Sequence, residues 1–123
     1  MDLTLQKPGN HLFVRYATPD GIQVVDEFYT SAIILSAKEI ITDWPVGSVQ
    51  DIERRHLEKI LELAPEVVLI GTGREQVFLP PEQLMVFYER GVGIEVMNTS
   101  AACRTFNVLV SESRNVVGAL IPG

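Results

Sequence analysis

The alternation of apolar runs and helical stripes across residues 48–121 restricts the fold more than any other feature. Leu57, Ile60, Leu61 and Ala64 fall at i, i+3, i+4 and i+7, which is one stripe of a helix. Ser48-Val49-Gln50-Asp51 reads as its capping-box start, with a hydroxyl acceptor at the cap and a carboxylate three residues on. Glu66-Val67-Val68-Leu69-Ile70 follows, a continuous apolar run suited to a strand buried on both faces. Pro80-Pro81-Glu82 opens a second helix to about Arg90, because proline in the first turn forfeits no intrahelical bond. Gly91 and Gly93 stop it. Residues 94–97 form a strand, Asn98 or Thr99 caps a helix to about Glu112, and residues 116–121 form the last strand. Two successive βαβ units result, and right-handed crossovers make their three strands parallel.

The first forty-five residues have a different texture. Residues 11–17 and 22–25 are short β-branched and aromatic runs around Pro19-Asp20-Gly21, a turn signal in which proline presets φ. Residues 28–36 read as a third strand, with Ala32-Ile33-Ile34-Leu35 as its buried part. Residues 40–44 read as a fourth, ended by Pro45. The expected fold class is mixed α+β. Antiparallel N-terminal strands join a βαβαβ section, helices cover the sheet, and residues 1–123 make one domain with one core.

Charge and cysteine usage narrow the function. Acidic residues outnumber basic ones 16 to 10, leaving a net charge of −6, so a broad nucleic-acid footprint is not expected. One cysteine, Cys103, allows no intrachain disulfide and leans towards a reducing compartment. Residues 1–7 lack the basic start and apolar run of a signal peptide, and no apolar stretch approaches the ~20 residues that span a bilayer. A cytoplasmic location is expected. No metal set or cofactor motif stands out. Gly71-Thr72-Gly73 has Gln76 where a dinucleotide fingerprint needs a third small residue, and no Gly-Lys-Ser/Thr follows.

Ligands of open α/β sheets bind outside the carboxyl ends of the strands. Two such ends are chemically unusual: Gly71-Thr72-Gly73-Arg74, and Asn98-Thr99-Ser100-Ala101-Ala102 running into Cys103-Arg104-Thr105-Phe106-Asn107. Were these strands neighbours, one edge would combine close-approach glycines, hydroxyls, a helix N-terminus and two guanidiniums, a receptor for a small anion. The candidate pocket is Gly71, Thr72, Gly73, Arg74, Thr99, Ser100, Ala102, Arg104, Thr105 and Asn107. The competing reading is structural: glycines for a turn, hydroxyls for a cap, alanines for close packing. Cys103, on a largely apolar helix, is expected to be a buried side chain rather than a nucleophile. Trp44 is expected to plug the core.

Leu69-Ile70-Gly71-Thr72-Gly73-Arg74 followed by Phe78-Leu79-Pro80, and the stretch from Gly93 to Leu109, resemble the small domain of unknown function called the Mth-type domain. Trp44-Pro45 and Gly118-Ala119-Leu120 also suit it. Its eukaryotic members include a mitochondrial respiratory complex I assembly factor and an adipogenesis-associated protein. The resemblance implies a compact β/α domain with two packed sheet portions and helices on one side. It implies no activity, since none is established for that family as a class. Without a mitochondrial presequence, a bacterial cytoplasmic role fits this chain better. If family members share a pocket, the matching positions are Gly71, Thr72, Gly73, Arg74, Thr99, Ala102, Arg104, Thr105 and Asn107.

Two functions follow as expectations. The first is a non-enzymatic binding or assembly protein with a protein partner. The second is a small-anion-binding domain, or an enzyme of unnamed reaction, with its pocket at the two loops.

Overall fold

The computed structural model describes residues 10–123. The segment read above for a signal peptide, residues 1–7, lies outside them. The chain runs through β1 (Val14–Thr18), β2 (Gly21–Val24), β3 (Glu27–Tyr29), β4 (Ile33–Leu35), β5 (Ile40–Ile41), α1 (Arg54–Leu61), β6 (Val67–Gly71), α2 (Pro81–Tyr88), β7 (Gly93–Met97), α3 (Thr99–Ser111) and β8 (Val116–Leu120). Mixed α+β is therefore the observed class.

The strands form two sheets. One has the order β1-β2-β3 and is antiparallel; the other has the order β5-β4-β8-β6-β7. β6 pairs in parallel with both β7 and β8, as two right-handed βαβ units require. β4 lies antiparallel against β8 and β5 antiparallel against β4. The N-terminal strands thus divide between the sheets. Residues 28–36, read as one strand, break at residues 30–32, where the chain passes from the small sheet to the large one. Only Ile40–Ile41 of the expected fourth strand pairs.

Side chains alternate across the large sheet. Ile34, Val68, Ile70, Val117 and Ala119 face one way and pack with Leu57 and Ile60 of α1 and Val86 and Phe87 of α2. Ile33, Leu35, Leu69, Val116 and Leu120 face the other way and pack with Ala102, Phe106 and Val110 of α3 and with Val14, Ile22 and Val24 of the small sheet. Helices therefore flank both faces, where the family resemblance implied one. α3 lies between the two sheets, against β1 on one side and β6 and β8 on the other.

Local capping also differs in detail. Ser48 and Asp51 close a 3-10 turn, Val49–Asp51, rather than opening α1. α1 starts after Glu53, whose N–H donates to Nδ1 of His56 at 2.9 Å. Ala64, expected on the helical stripe, takes a positive φ of 51° beyond the helix end. Trp44 is buried, and its indole N–H donates to the His56 carbonyl at 3.0 Å, so it plugs the core as expected.

Candidate functional site

The carboxyl ends of β6 and β7 are adjacent, and α3 starts directly after β7. Asn98 caps α3, its side-chain oxygen accepting from the Ala101 N–H at 2.8 Å. Short polar side chains at this position satisfy otherwise orphaned helix donors. Around it, Gly71, Thr72, Gly73 and Thr99 meet in one knot of hydrogen bonds. The Gly73 N–H donates to the Thr99 hydroxyl oxygen at 2.8 Å, and the Thr99 N–H returns to the Gly73 carbonyl at 2.9 Å. The Thr99 hydroxyl donates to the Ile121 carbonyl. The Ile121 N–H donates to the Gly71 carbonyl at 3.0 Å. The Thr72 hydroxyl donates to the Glu75 carbonyl at 2.6 Å, and the Thr72 N–H to the Met97 carbonyl at 2.9 Å.

Glycine is required here by close approach. A Cβ on Gly71 would lie 2.9 Å from the Thr99 hydroxyl oxygen and 3.0 Å from its Cα. Gly73 has a φ of 102°, a region that L side chains rarely adopt. The knot ties the ends of β6 and β8 to the start of α3. Its N–H groups at Gly73, Thr99 and Ala101 already have protein acceptors.

The remaining candidates go elsewhere. Arg74 is exposed in the loop after the knot. Ala102 is fully buried, letting α3 lie close on the sheet. The Thr105 hydroxyl donates back to the Ala101 carbonyl at 2.9 Å. Asn107 uses both ends of its amide on the backbone of Val14. Ser100 and Arg104 are exposed on α3, and an Arg104 guanidinium nitrogen donates to the Ser100 hydroxyl at 2.8 Å.

Ser100, Arg104 and Asn107 border a cleft of about 230 Å³ between α3 and β1. Arg15 and Cys103 line it too, and Arg74 does not. Arg15 is not among the residues expected from the sequence, because nothing local announces that β1 will lie beside a helix more than eighty residues later; its guanidinium lies with Val25, Phe13 and Asp26. Burial pushes the Cys103 thiol up to about 12, with the nearby Arg104 charge opposing only part of that shift. A thiol held neutral is a poor nucleophile at ordinary pH, in line with the structural reading of this residue.

Residues 14–121 match the family described as a protein of unknown function, DUF498/DUF598. The chain belongs to this family. A solution structure of a Mth938-like domain from Bordetella pertussis is 33% identical, with a TM-score of 0.80, covering 90% of this chain and 85% of that one. The Mth-type resemblance is thereby established for fold and family. The NADH dehydrogenase [ubiquinone] 1 alpha subcomplex assembly factor 3 of Xenopus tropicalis is 43% identical over 84 residues, which is 67% of this chain. The chain spans 46% of that protein's length, about half. The 13 kDa major membrane protein of Francisella tularensis is 37% identical over 89 residues, 72% of each chain. No helix among the described residues is long and apolar enough to cross a membrane.

Proposed function

We propose that this DUF498/DUF598 protein is a non-enzymatic assembly module that works by binding a protein partner, a reading supported by its similarity to proteins named as complex I assembly factors. The observation that carries this reading is the 43% identity to a complex I assembly factor across two-thirds of the chain. Surface chemistry supports it. Met85 and Tyr88, three residues apart on α2, are 47% and 55% exposed, and Phe78, in the segment entering α2, is 81% exposed. Large apolar side chains gathered in one segment are costly to leave in water and suit a protein contact. The cytoplasm is the proposed compartment.

The test is retention of purified NADH dehydrogenase subunits on the immobilised chain. Wild type should retain a subunit. A Phe78→Ser, Met85→Ser, Tyr88→Ser variant with an unchanged melting temperature should lose it. Retention of no subunit by wild type would overturn the reading.

A second reading, small-anion binding at residues 71–74 and 98–107, is favoured in its helical half. There Ser100 and Arg104 are exposed side by side.

A further inference from the structure

We infer that the outer edge of β7 takes up an extended segment of a partner protein as a further strand of the large sheet, with a basic residue of that segment set against Glu95. The inference rests on the assembly reading above and deepens it by naming how the partner is held.

The order β5-β4-β8-β6-β7 leaves β7 at one edge of the large sheet. Its inner side is fixed at both ends. The Gly93 N–H donates to the Glu66 carbonyl at 3.1 Å, and the Met97 carbonyl accepts from the Thr72 N–H at 2.9 Å. Backbone groups alternate in direction along a strand. Gly93, Glu95 and Met97 therefore turn theirs to β6, and Ile94 and Val96 turn theirs out of the sheet. Among the described residues, no backbone group pairs with the outward N–H and C=O of Ile94 or Val96. The Val96 carbonyl accepts instead from the side-chain amide of exposed Gln76 at 3.1 Å. One exposed side chain thus stands where a neighbouring strand's N–H would, and a strand can displace it.

The chemistry of the edge specifies its ligand. Its donors and acceptors repeat at about 6.6 Å, the two-residue rise of a strand, which an extended backbone matches. The residues Gly93–Met97 include no proline or lysine, and their register against β6 is unbroken, so the usual devices that blunt an edge are missing. The one charge on β7, at exposed Glu95, has no ion-pair partner among the described residues. A second copy of this chain fits poorly. The antiparallel register that engages every outward group pairs Ile94 of one copy with Val96 of the next and sets Glu95 against its own equivalent. Like charges directly opposite destabilise a strand pair, whereas a lysine or arginine there would be favourable. The edge also continues into the apolar surface already described. Gln76 reaches Val96, Phe78 follows it by two residues, and α2, which carries Met85 and Tyr88, packs on β7.

The test is an NMR titration of the nitrogen-15-labelled full-length protein with a blocked peptide of alternating valine and lysine. The Ile94 and Val96 amides should shift and gain protection from solvent exchange. The same peptide with glutamate for lysine should bind about threefold more weakly, and Glu95→Lys should reverse that order. Gln76→Ala frees the Val96 carbonyl and should bind the lysine peptide about two- to fivefold more tightly. Val96→Pro removes one outward N–H without touching the ladder to β6, so it should fold and lose the peptide; Ile94→Pro serves if it does not fold. No shift at Ile94 or Val96 with about 5 mM lysine peptide would overturn the inference. Equal affinity in wild type and the proline variant, or equal affinity for the two peptides, would overturn it too. Retention of NADH dehydrogenase subunits separates this inference from the assembly reading. If wild type retains none while the peptide binds at Ile94 and Val96, the assembly reading fails and the edge stands. If Val96→Pro retains a subunit as well as wild type does, the edge is overturned and the assembly reading stands.

Discussion

The side-chain amide of Asn107 pairs with the backbone of Val14 as a neighbouring strand would, donating to its carbonyl and accepting from its N–H, both at 2.8 Å. The residues are 93 positions apart, and the pairing fastens the small sheet to α3. An edge strand with unmet N–H and C=O groups would otherwise need water or another chain there.

Asn107→Ala should therefore destabilise the protein by about 1–3 kcal/mol, since it leaves one backbone donor and one acceptor unpaired in a partly buried place. Asn107→Asp should also destabilise, because a carboxylate can accept from Val14 but cannot donate to it. Chemical denaturation with both variants checks this, and unchanged midpoints would contradict it.

Gly71→Ala should cost about 1–3 kcal/mol, because its new methyl would press on Thr99 at 2.9 Å with backbone behind it. Gly93→Ala is the control. Its Cβ would meet its nearest neighbour at an ordinary 3.6 Å, so its effect should stay within about 0.5 kcal/mol. Thermal melts of the two variants separate close approach from loss of glycine as such.

Cys103 should react with iodoacetamide only when the chain unfolds. Burial raises its thiol from 9.0 to about 12, so the folded protein favours the neutral form. That contribution to stability is fully present below about 9 and is lost as pH rises towards 12, because the unfolded chain ionises first. Cys103→Ala should remove this part of the alkaline decline in melting temperature. Rapid alkylation of the native protein at pH 8 would contradict the assignment.

Glu66 should favour the fold above the ordinary carboxylate range. The Asn115 N–H, then the Arg114 guanidinium, lower its pKa from 4.5. A depressed carboxyl supplies stability above its unfolded value and loses it as pH falls through the folded one. Glu66→Gln should accordingly flatten the acid limb of the stability profile while leaving its alkaline side unchanged. An acid limb identical to wild type would count against the contact.

Much of this fold can be read from local chemistry. The helical stripe at Leu57, Ile60 and Leu61, the run at residues 66–70 and the Asn98 cap all act within a few residues, and each forms the expected element. What escaped reading depends on partners distant in sequence. Nothing near residues 30–32 says that the chain changes sheets there, since the reason is a vacant edge on β8. Asn107 reads as a ligand residue because its use on Val14 requires knowing that β1 lies beside α3. The Gly71, Gly73 and Thr99 cluster was legible as a meeting of two loops, but its hydrogen bonds run inward and tie β6, β8 and α3 together.

The most direct measurement of the proposed role is the amount of assembled NADH dehydrogenase complex in cells of origin that lack this protein, read by native electrophoresis with in-gel activity. The account predicts a marked fall in the assembled complex and accumulation of partial assemblies. Wild type should restore the complex, and the folded Phe78→Ser, Met85→Ser, Tyr88→Ser variant should not. Undiminished complex in cells without the protein would contradict it.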